Sequence, residues 1–337
     1  MAGARTGGAE NFFVRLVAAL GMEGIIQQAA IRTHPQRRDI LEKNGVVVHE
    51  LSYGGWFDLC TRARLKRISN AFRPDIVMTW MNRATSAAPV GPWITVGRLG
   101  GYYDLKYYKK CDHLICNTAD LRAYVINKDW PGEKVVYLPN FIDEAGLPAV
   151  DRALFATPDD NPLIVCFGRL HRNKAFDVAI DALSRIDQAW LWIVGEGPWA
   201  GHLRQKTLEH SVQDRVRFLG WREDVSAIHA AADIFLCPSR HEPLGNVVLE
   251  AWAYGTPVVA AASQGPGQLI VDGVNGLLVP VDDAAKMAEA IKLLLADRTL
   301  AARLKVAGRE CYYKNFSRAV VVKKYIEFFT GICARRA

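Results

Sequence analysis

Two glutamates eight residues apart, Glu242 and Glu250, are the side chains of this sequence best placed to bind a polar ligand. The segment between them predicts a helix that begins near Gly245 and buries a Val-Val-Leu face. Free backbone N–H groups and the positive end of the dipole make a helix amino end favourable for an anion. A carboxylate accepts two hydrogen bonds from neighbouring sugar hydroxyls. The pattern therefore suits an anionic ligand that carries hydroxyls, although two solvated glutamates would show the same spacing.

A basic loop follows the apolar run that ends at Phe167. It reads Gly168-Arg169-Leu170-His171-Arg172-Asn173-Lys174 and precedes a helix expected near Ala175. Arg169 can bind a phosphate in a forked geometry and Lys174 as a point charge. Because ligands of parallel sheets bind beyond the strand ends, a diphosphate partner is favoured over an ordinary basic loop.

Two glycine-containing loops also lie next to expected strands or helices. Gly195-Glu196-Gly197-Pro198 follows another apolar run, and Gly7 and Gly8 precede a helix expected over 11–20. Glycines allow backbone N–H groups to approach phosphate or sugar, but a Gly-Gly pair before a helix is weak evidence by itself.

Apolar runs alternate with helical segments through both halves of the chain, which predicts parallel sheets covered by helices. The expected strands are 25–31, 46–51, 75–80, 93–96, 113–116, 135–138, 163–167, 191–194, 216–219, 234–237, 257–260 and 277–279. The fold class is thus α/β, with two doubly wound, Rossmann-like domains facing each other across a cleft. Turn-forming residues between Asn140 and Asn161 divide a first domain, 1–150, from a second, 151–316. We expect a helix in 317–337 that packs back on the first domain.

Composition excludes several classes of protein. The 337 residues are 50% hydrophobic and 23% charged, which is typical of a globular protein and not of a disordered one. The seven cysteines form no C-x-x-C pair, so neither a zinc site nor a disulfide framework is indicated. No apolar run approaches the roughly 18 residues of a membrane span, and Arg15 interrupts the run that resembles a signal peptide. We therefore expect a cytoplasmic protein.

The net charge of +7 includes a basic cluster on one expected helix. Leu65, Ile68 and Phe72 form its apolar face, and the basic residues are Arg62, Arg64, Lys66 and Arg67. Such a helix suits peripheral contact with an anionic membrane, here its cytoplasmic face, while an ordinary solvated face would look the same. No nucleic-acid-binding module accompanies it, so no nucleic-acid partner is expected.

The order of these motifs resembles the retaining glycosyltransferases of family four, of the group 1 type, which have the two-domain GT-B fold. The resemblance covers nearly the whole chain. It rests on Gly7-Gly8-Ala9-Glu10, Leu138-Pro139-Asn140-Phe141-Ile142-Asp143, Gly168-Arg169-Leu170 with Lys174, Val194-Gly195-Glu196-Gly197-Pro198, the pair Glu242 and Glu250, and Asn275-Gly276-Leu277-Leu278-Val279-Pro280.

The resemblance implies a role for each motif in binding a nucleotide-sugar donor, most commonly a UDP-sugar. Glu250 would bind the ribose, Arg169 and Lys174 the diphosphate, and the loop of Gly195 and Glu196 the nucleoside. The donor sugar and its nearest phosphate would contact Glu242 and the backbone of Leu244, Gly245 and Asn246. Gly7 and Gly8 would approach the diphosphate from the first domain.

The chemistry implied by the resemblance is transfer of the sugar with retained configuration, without a metal or other cofactor. The catalytic set would be Glu242, Arg169 and Lys174, with Glu242 positioning the sugar and not attacking it. The acceptor would be a glycan or a lipid-linked glycan of cell-surface polysaccharide or lipopolysaccharide synthesis.

The sequence departs from the family pattern in three places. A histidine common near the donor sugar is missing from the loop 97–103, where Arg98 or Tyr102 are the acceptor-side candidates. Gln268 stands where a glutamate is expected. Only Met1-Ala2-Gly3-Ala4 precedes Arg5, where relatives have a central strand, which predicts unpaired backbone in the first sheet and a true start upstream of Met1.

Two other functions remain open at this point. A non-hydrolysing sugar-nucleotide epimerase shares the architecture but does not need the two glutamates with Arg169 and Lys174. A catalytically impaired nucleotide-sugar-binding protein would keep the same motifs. The absence of a Gly-x-Gly-x-x-Gly turn argues against an NAD-dependent dehydrogenase.

Overall fold

The computed structural model describes residues 1–3, 7–54 and 58–336, which fold into two compact units. Unit 1 consists of Met1–Asp143 and Arg318–Ala337, and unit 2 of Glu144–Ser317. Both are α/β structures with parallel strands, which confirms the predicted fold class. The division therefore falls at Asp143, and the last helix belongs to unit 1.

The described residues of unit 1 form six strands in two separate sheets. Strands β1 and β2 form one sheet, and the other has the order β3-β4-β5-β6. The strands are β1 Gln28–Arg32, β2 Val47–Leu51, β3 Ile76–Trp80, β4 Ile94–Leu99, β5 His113–Cys116 and β6 Val135–Tyr137. The helices are α1 Gly8–Met22, α2 Pro35–Lys43, α3 Leu59–Phe72, α4 Met81–Ala87, α5 Ala119–Ile126 and α13 Arg318–Ala334.

Unit 2 contains six strands in one parallel sheet, in the order β12-β11-β10-β7-β8-β9. The strands are β7 Leu163–Phe167, β8 Trp190–Val194, β9 Val216–Gly220, β10 Ile234–Cys237, β11 Val258–Ala261 and β12 Leu277–Val279. The helices are α6 Phe176–Ser184, α7 Ala200–Glu209, α8 Val225–Ala231, α9 Asn246–Tyr254, α10 Gln264–Leu269, α11 Ala284–Ala296 and α12 Arg298–Asn315. Because β7, β10 and β11 are buried along their whole length, they read as continuous apolar runs in the sequence.

All twelve expected strands form, and two of them differ from the expected range by more than one residue at an end. The first strand begins at Gln28 and not Ile25, because the Ile25 N–H donates to the Leu20 carbonyl and closes the end of α1. The fourth continues through Leu99, so Gly97, Arg98 and Leu99 lie in a strand and not in the predicted loop.

The basic helix is α3, and all four of its predicted basic side chains, those of Arg62, Arg64, Lys66 and Arg67, are exposed. Asp58 caps this helix by accepting a hydrogen bond from the Thr61 N–H at 2.8 Å. Within the described residues, no helix has both the length and the apolar character that crossing a bilayer requires.

Candidate functional site

Two loops at the carboxyl ends of β7 and β8 are joined through their backbones. The Leu170 N–H donates to the Glu196 carbonyl at 2.9 Å, and the Trp199 N–H donates to the Leu170 carbonyl at 3.0 Å. Gly195 has φ +139°, and a Cβ atom on it would lie 2.1 Å from the Gly168 carbonyl oxygen. Only glycine fits at position 195, since both the backbone conformation and the close contact exclude a side chain.

Lys174 lies at the end of the first of these loops, in a short 3-10 turn before α6. Its ammonium group forms an ion pair and hydrogen bond with the carboxylate of Glu242. Glu242 is only 7% exposed. A largely buried carboxylate is stable only with such a partner. The pair therefore links the basic loop after β7 to the loop after β10.

The charge of Lys174 depends on both glutamates. Burial lowers the pKa of Lys174, but the charge and hydrogen bond of Glu242, together with the charge of Glu250, outweigh burial and raise it above its usual value. Glu250 is half-buried on α9, close enough for its charge to act on the ammonium. The structure thus gathers Lys174, Glu242 and Glu250 although 68 residues separate the first two.

The amino end of α9 is shaped by close backbone packing. Gly245 precedes the helix with φ +71°, and no side chain caps the helix there. The Gly265 N–H donates to the Glu242 carbonyl at 2.7 Å, and a Cβ on Gly265 would lie 2.5 Å from the Gly245 nitrogen. The loop of Leu244 is therefore held against α10 at the amino end of α9, and a helix amino end is a place that favours an anion.

Arg240 is a further residue of this region that the sequence did not indicate. Its guanidinium forms a two-pronged ion pair with Asp177 at 2.9 and 2.7 Å and donates to the Arg172 carbonyl at 2.9 Å. It also pairs with Asp282. Arg240 therefore fixes the loop before α9 to the turn that carries Lys174. No local pattern could have revealed it, because Asp177 lies 63 residues away.

The remaining predicted residues of unit 2 surround these groups. Arg169 and Glu196 are exposed, while Leu244 and Asn246 are half-buried. Within the described residues Arg169 forms no ion pair, so its guanidinium is accessible to a ligand. Gln268, at the position of the expected glutamate, is an exposed residue of α10.

Two of the predicted residues lie at the start of α1 in unit 1. Gly7 precedes the helix in an extended conformation, and Gly8 is its first residue. Thr6, from the same motif, lies outside the described residues. The contact of Gly7 and Gly8 with a diphosphate stays a prediction.

Arg98, the first acceptor-side candidate, is buried inside unit 1. It lies in β4, is 2% exposed, and its guanidinium stacks between the rings of Phe12 and Trp80 at 4.6 and 4.5 Å. It donates to the Tyr325 hydroxyl at 3.0 Å and to the Asn140 side-chain oxygen at 2.5 Å. Arg98 therefore ties β4 to α1 and α13 inside unit 1, and its contact with an acceptor stays a prediction.

Tyr102, the second acceptor-side candidate, is on the surface. It is 42% exposed, and its hydroxyl donates to the Asp120 carboxylate. That hydrogen bond and burial raise its pKa to about 12, so the phenol is neutral near pH 7. In the part of the chain that the structure describes, no three His, Cys, Asp or Glu side chains are grouped as a metal would require.

Comparison with known proteins identifies the family. Residues 161–297 match the model of the family "Glycosyl transferases group 1". Lipopolysaccharide core biosynthesis glycosyltransferase LpsE of Rhizobium meliloti (strain 1021) is 36% identical over 332 residues, which cover 97% of each chain. A GDP-mannose-dependent alpha-(1-6)-phosphatidylinositol monomannoside mannosyltransferase of Mycolicibacterium smegmatis is 30% identical over 80% of each chain.

Comparison with the solved structures of other proteins identifies the fold. Anabaena Alr3699/HepE in complex with UDP superimposes with a TM-score of 0.86 at 20% identity, over 98% of each chain. The lipopolysaccharide outer core galactosyltransferase WaaB in its apo form gives a TM-score of 0.72 at 16% identity. The expected GT-B fold is confirmed. With its fold, its motifs and its full-length relatives in agreement, the chain belongs to the group 1 glycosyltransferases.

Proposed function

We propose that this glycosyltransferase is a retaining enzyme of family four that transfers a sugar from a UDP-sugar to the core of lipopolysaccharide, without a metal ion. The observation that carries the proposal is the ion pair of Lys174 with Glu242, next to helix α9, which carries Glu250 and has no side-chain cap at its amino end. The acceptor follows from the relatives LpsE and LpsD, both named as lipopolysaccharide core biosynthesis glycosyltransferases.

In the proposed donor complex, each group of unit 2 has one part of the nucleotide sugar to bind. Arg169 and Lys174 bind the diphosphate, and Glu250 accepts hydrogen bonds from the ribose hydroxyls. The loop of Gly195 and Glu196 lies along the nucleoside. Glu242, with the backbone from Leu244 to Asn246, holds the donor sugar and its nearest phosphate.

Gly7 and Gly8 of unit 1 are also proposed to contact a diphosphate. They stand at the amino end of α1, and the first N–H groups of a helix favour an anion.

The proposed reaction breaks the bond between sugar C1 and the phosphate oxygen. Positive charge develops on the sugar ring, and negative charge develops on the leaving phosphate. Lys174 and Arg169 stabilise that phosphate, and the raised pKa of Lys174 keeps its ammonium protonated at neutral pH. Because this positive charge comes from side chains, the reaction needs no metal.

Retention follows if the acceptor hydroxyl attacks C1 on the face that the phosphate leaves. The acceptor oxygen forms the new bond to C1, and its proton passes to the departing phosphate oxygen, so no protein base is required. Glu242 is already engaged by Lys174 and acts as a positioning residue for the sugar, not as a nucleophile.

The proposal also names uridine as the nucleoside of the donor. UDP is favoured because HepE, a full-length structural neighbour, binds UDP and UDP-glucose. A relative that is 30% identical uses GDP-mannose, so a GDP-sugar is the competing donor. Peripheral contact with the cytoplasmic face of a membrane, through the exposed basic side chains of α3, would bring the enzyme to a lipid-linked acceptor.

The proposal is tested by a donor screen with UDP-glucose, UDP-galactose, UDP-N-acetylglucosamine and GDP-mannose, and purified lipopolysaccharide core as acceptor. We expect transfer from one UDP-sugar. The product should keep the anomeric configuration of the donor, as measured by NMR. EDTA should leave the activity unchanged. Glu250→Ala should lower kcat/KM by about 100-fold, because two hydrogen bonds to a charged group are lost, each worth about 1.5 kcal/mol or more.

The matched control is Glu289→Ala, which removes an exposed glutamate of α11 that pairs with Lys286. It should leave kcat/KM unchanged. Equal loss in both variants would contradict the site, an inverted product would contradict retention, and exclusive use of GDP-mannose would contradict the UDP donor.

A further inference from the structure

Arg240 forms a second link between the two segments of unit 2 that the ion pair of Lys174 with Glu242 already joins. Its partner Asp177 lies in the first turn of α6, shortly after Lys174, and Arg240 itself lies shortly before Glu242. The guanidinium binds both carboxylate oxygens of Asp177, at 2.9 and 2.7 Å. The two links have opposite polarity, because the segment after β7 supplies the cation of one and the anion of the other.

Arg240 also holds the backbone of the turn that carries Lys174. Its Nη1 donates to the Arg172 carbonyl at 2.9 Å, and the same carbonyl accepts from the Ala175 N–H at 3.1 Å. Ala175 has φ +52°, a left-handed conformation that a residue with a side chain keeps only when its surroundings impose it. The guanidinium is therefore part of what imposes the shape of this turn.

A third contact of Arg240 reaches the loop between β12 and α11. Its Nε lies 2.5 Å from a carboxylate oxygen of Asp282. The side chains of Arg240 and Asp177 are only 24% and 18% exposed, so water and salt screen their attraction less than that of a surface pair. Arg240 thus joins three segments at the carboxyl ends of the strands of unit 2.

The two links would respond differently to a donor. In the proposed complex Lys174 also binds the diphosphate, so its ammonium hydrogens are shared between Glu242 and the phosphate. All three guanidinium nitrogens of Arg240 are already engaged, by Asp177, by Asp282 and by the Arg172 carbonyl. The link through Arg240 therefore stays in place while the ion pair of Lys174 is loosened.

We infer that Arg240 is a positioning residue for Lys174, an inference that rests on the proposed function. It holds the turn so that the ammonium meets the leaving phosphate in the geometry of the transition state. The attraction between opposite charges tolerates a small displacement, but a hydrogen bond to the developing charge does not. Loss of Arg240 therefore affects the chemical step more than donor binding.

The kinetic test uses the UDP-sugar that the donor screen identifies. Arg240→Ala should lower kcat by about 30-fold and change the donor KM by less than about threefold, because displaced catalytic groups mainly slow the reaction step. Arg240→Lys should keep kcat at least about tenfold low, since an ammonium cannot form the fork with Asp177 and bind the Arg172 carbonyl together. In a Lys174→Ala background, Arg240→Ala should lower kcat by less than about threefold further.

The control variant is Arg152→Ala, which removes an arginine from the opposite ends of the same strands. Arg152 pairs with Asp233, just before β10, at 3.1 Å, and donates to the Asn161 carbonyl, just before β7, at 2.9 Å. Arg152→Ala should lower Tm, as Arg240→Ala does, but leave kcat unchanged. An equal fall of kcat in both variants would overturn the inference, because lost stability would then explain the effect.

A measurement without turnover separates this inference from the proposed function. Hydrogen exchange of the Ala175 amide should be at least about tenfold faster in Arg240→Ala and unchanged in Arg152→Ala. Unchanged exchange in Arg240→Ala would overturn the inference, and so would multiplying effects of the Arg240 and Lys174 substitutions on kcat. If the natural chain transfers no sugar, the proposed function fails, and the exchange at Ala175 alone decides whether Arg240 holds the turn. If Arg240→Ala does not fold, Asp177→Asn replaces it in both tests, because it removes the charge of the fork and keeps the size of the side chain.

Discussion

The two units contain six strands each but differ in how the strands are joined. In unit 2 the strands form one continuous sheet, and the loops beyond β7, β8 and β10 are tied together by backbone contacts, by Lys174 with Glu242 and by Arg240. In unit 1 the sheet is interrupted between β1 and β3. A continuous sheet brings its strand ends into register, so unit 2 can hold a site in place before a ligand arrives.

A basic side chain near a strand end has different surroundings in the two units. In unit 2, Lys174 follows β7 and pairs with the carboxylate of Glu242. In unit 1 the buried Arg98 is enclosed by Phe12, Trp80, Asn140 and Tyr325 and holds helices to a sheet. Similar residue types near strand ends are therefore paired with a carboxylate in one unit and packed against aromatic rings in the other.

The largest effect is expected from Gly195→Ala, which tests whether the loops of unit 2 are held by their backbones. A methyl group would meet the Gly168 carbonyl at 2.1 Å in a conformation that alanine disfavours. The free energy of unfolding should fall by about 3–5 kcal/mol, measured by urea denaturation. Gly201→Ala is the matched control, since no atom lies within 4 Å of the added methyl, and it should be neutral or stabilise α7 by up to about 1 kcal/mol. Similar losses in both would contradict backbone packing as the cause.

A smaller effect is expected from Arg98→Leu, which tests the packing role in unit 1. The variant removes the hydrogen bonds that the guanidinium donates to the Tyr325 hydroxyl and to the Asn140 side-chain oxygen, each worth about 1.5 kcal/mol because the donor is charged. The free energy of unfolding should fall by about 2–4 kcal/mol, while KM for the acceptor stays the same in the variant that remains folded. A raised acceptor KM with unchanged stability would instead place Arg98 in the acceptor site.

The smallest effect concerns His229, a buried imidazole of unit 2 that stacks on Phe167. Burial lowers its pKa to about 3, against about 6.5 in the unfolded chain. The unfolded state therefore binds the extra proton between these values, so stability is complete above pH 6.5 and is lost as the pH falls. From pH 7 to pH 5 this group should cost about 2 kcal/mol.

The measurement for His229 compares urea denaturation at pH 7 and pH 5 in the natural chain and in His229→Gln. The variant should lose about 2 kcal/mol less over this range, because glutamine does not titrate. Parallel pH dependence in the two chains would show that His229 takes up its proton equally in the folded and unfolded states, so that folding does not lower its pKa.

Much of the fold follows from local sequence. Apolar runs bounded by turn residues predicted twelve strands, since a strand buried on both faces needs apolar side chains throughout. The extent of β4 was missed because Gly97 and Arg98 look like loop residues. An arginine enters a buried strand only when aromatic rings and hydrogen-bond acceptors from elsewhere in the chain surround it, and the sequence around position 98 holds no sign of them.

The sequence by itself determined the motifs at the strand ends, the α/β class and the glycines at 195 and 245, because turn chemistry and apolar periodicity are local properties. Only the tertiary structure decided that Lys174 pairs with Glu242, that Arg240 joins two loops, that Arg98 is enclosed, and that β1 and β3 lie in separate sheets. The reason is physical: which strands become neighbours, and which charges meet, depends on contacts between residues far apart in the chain.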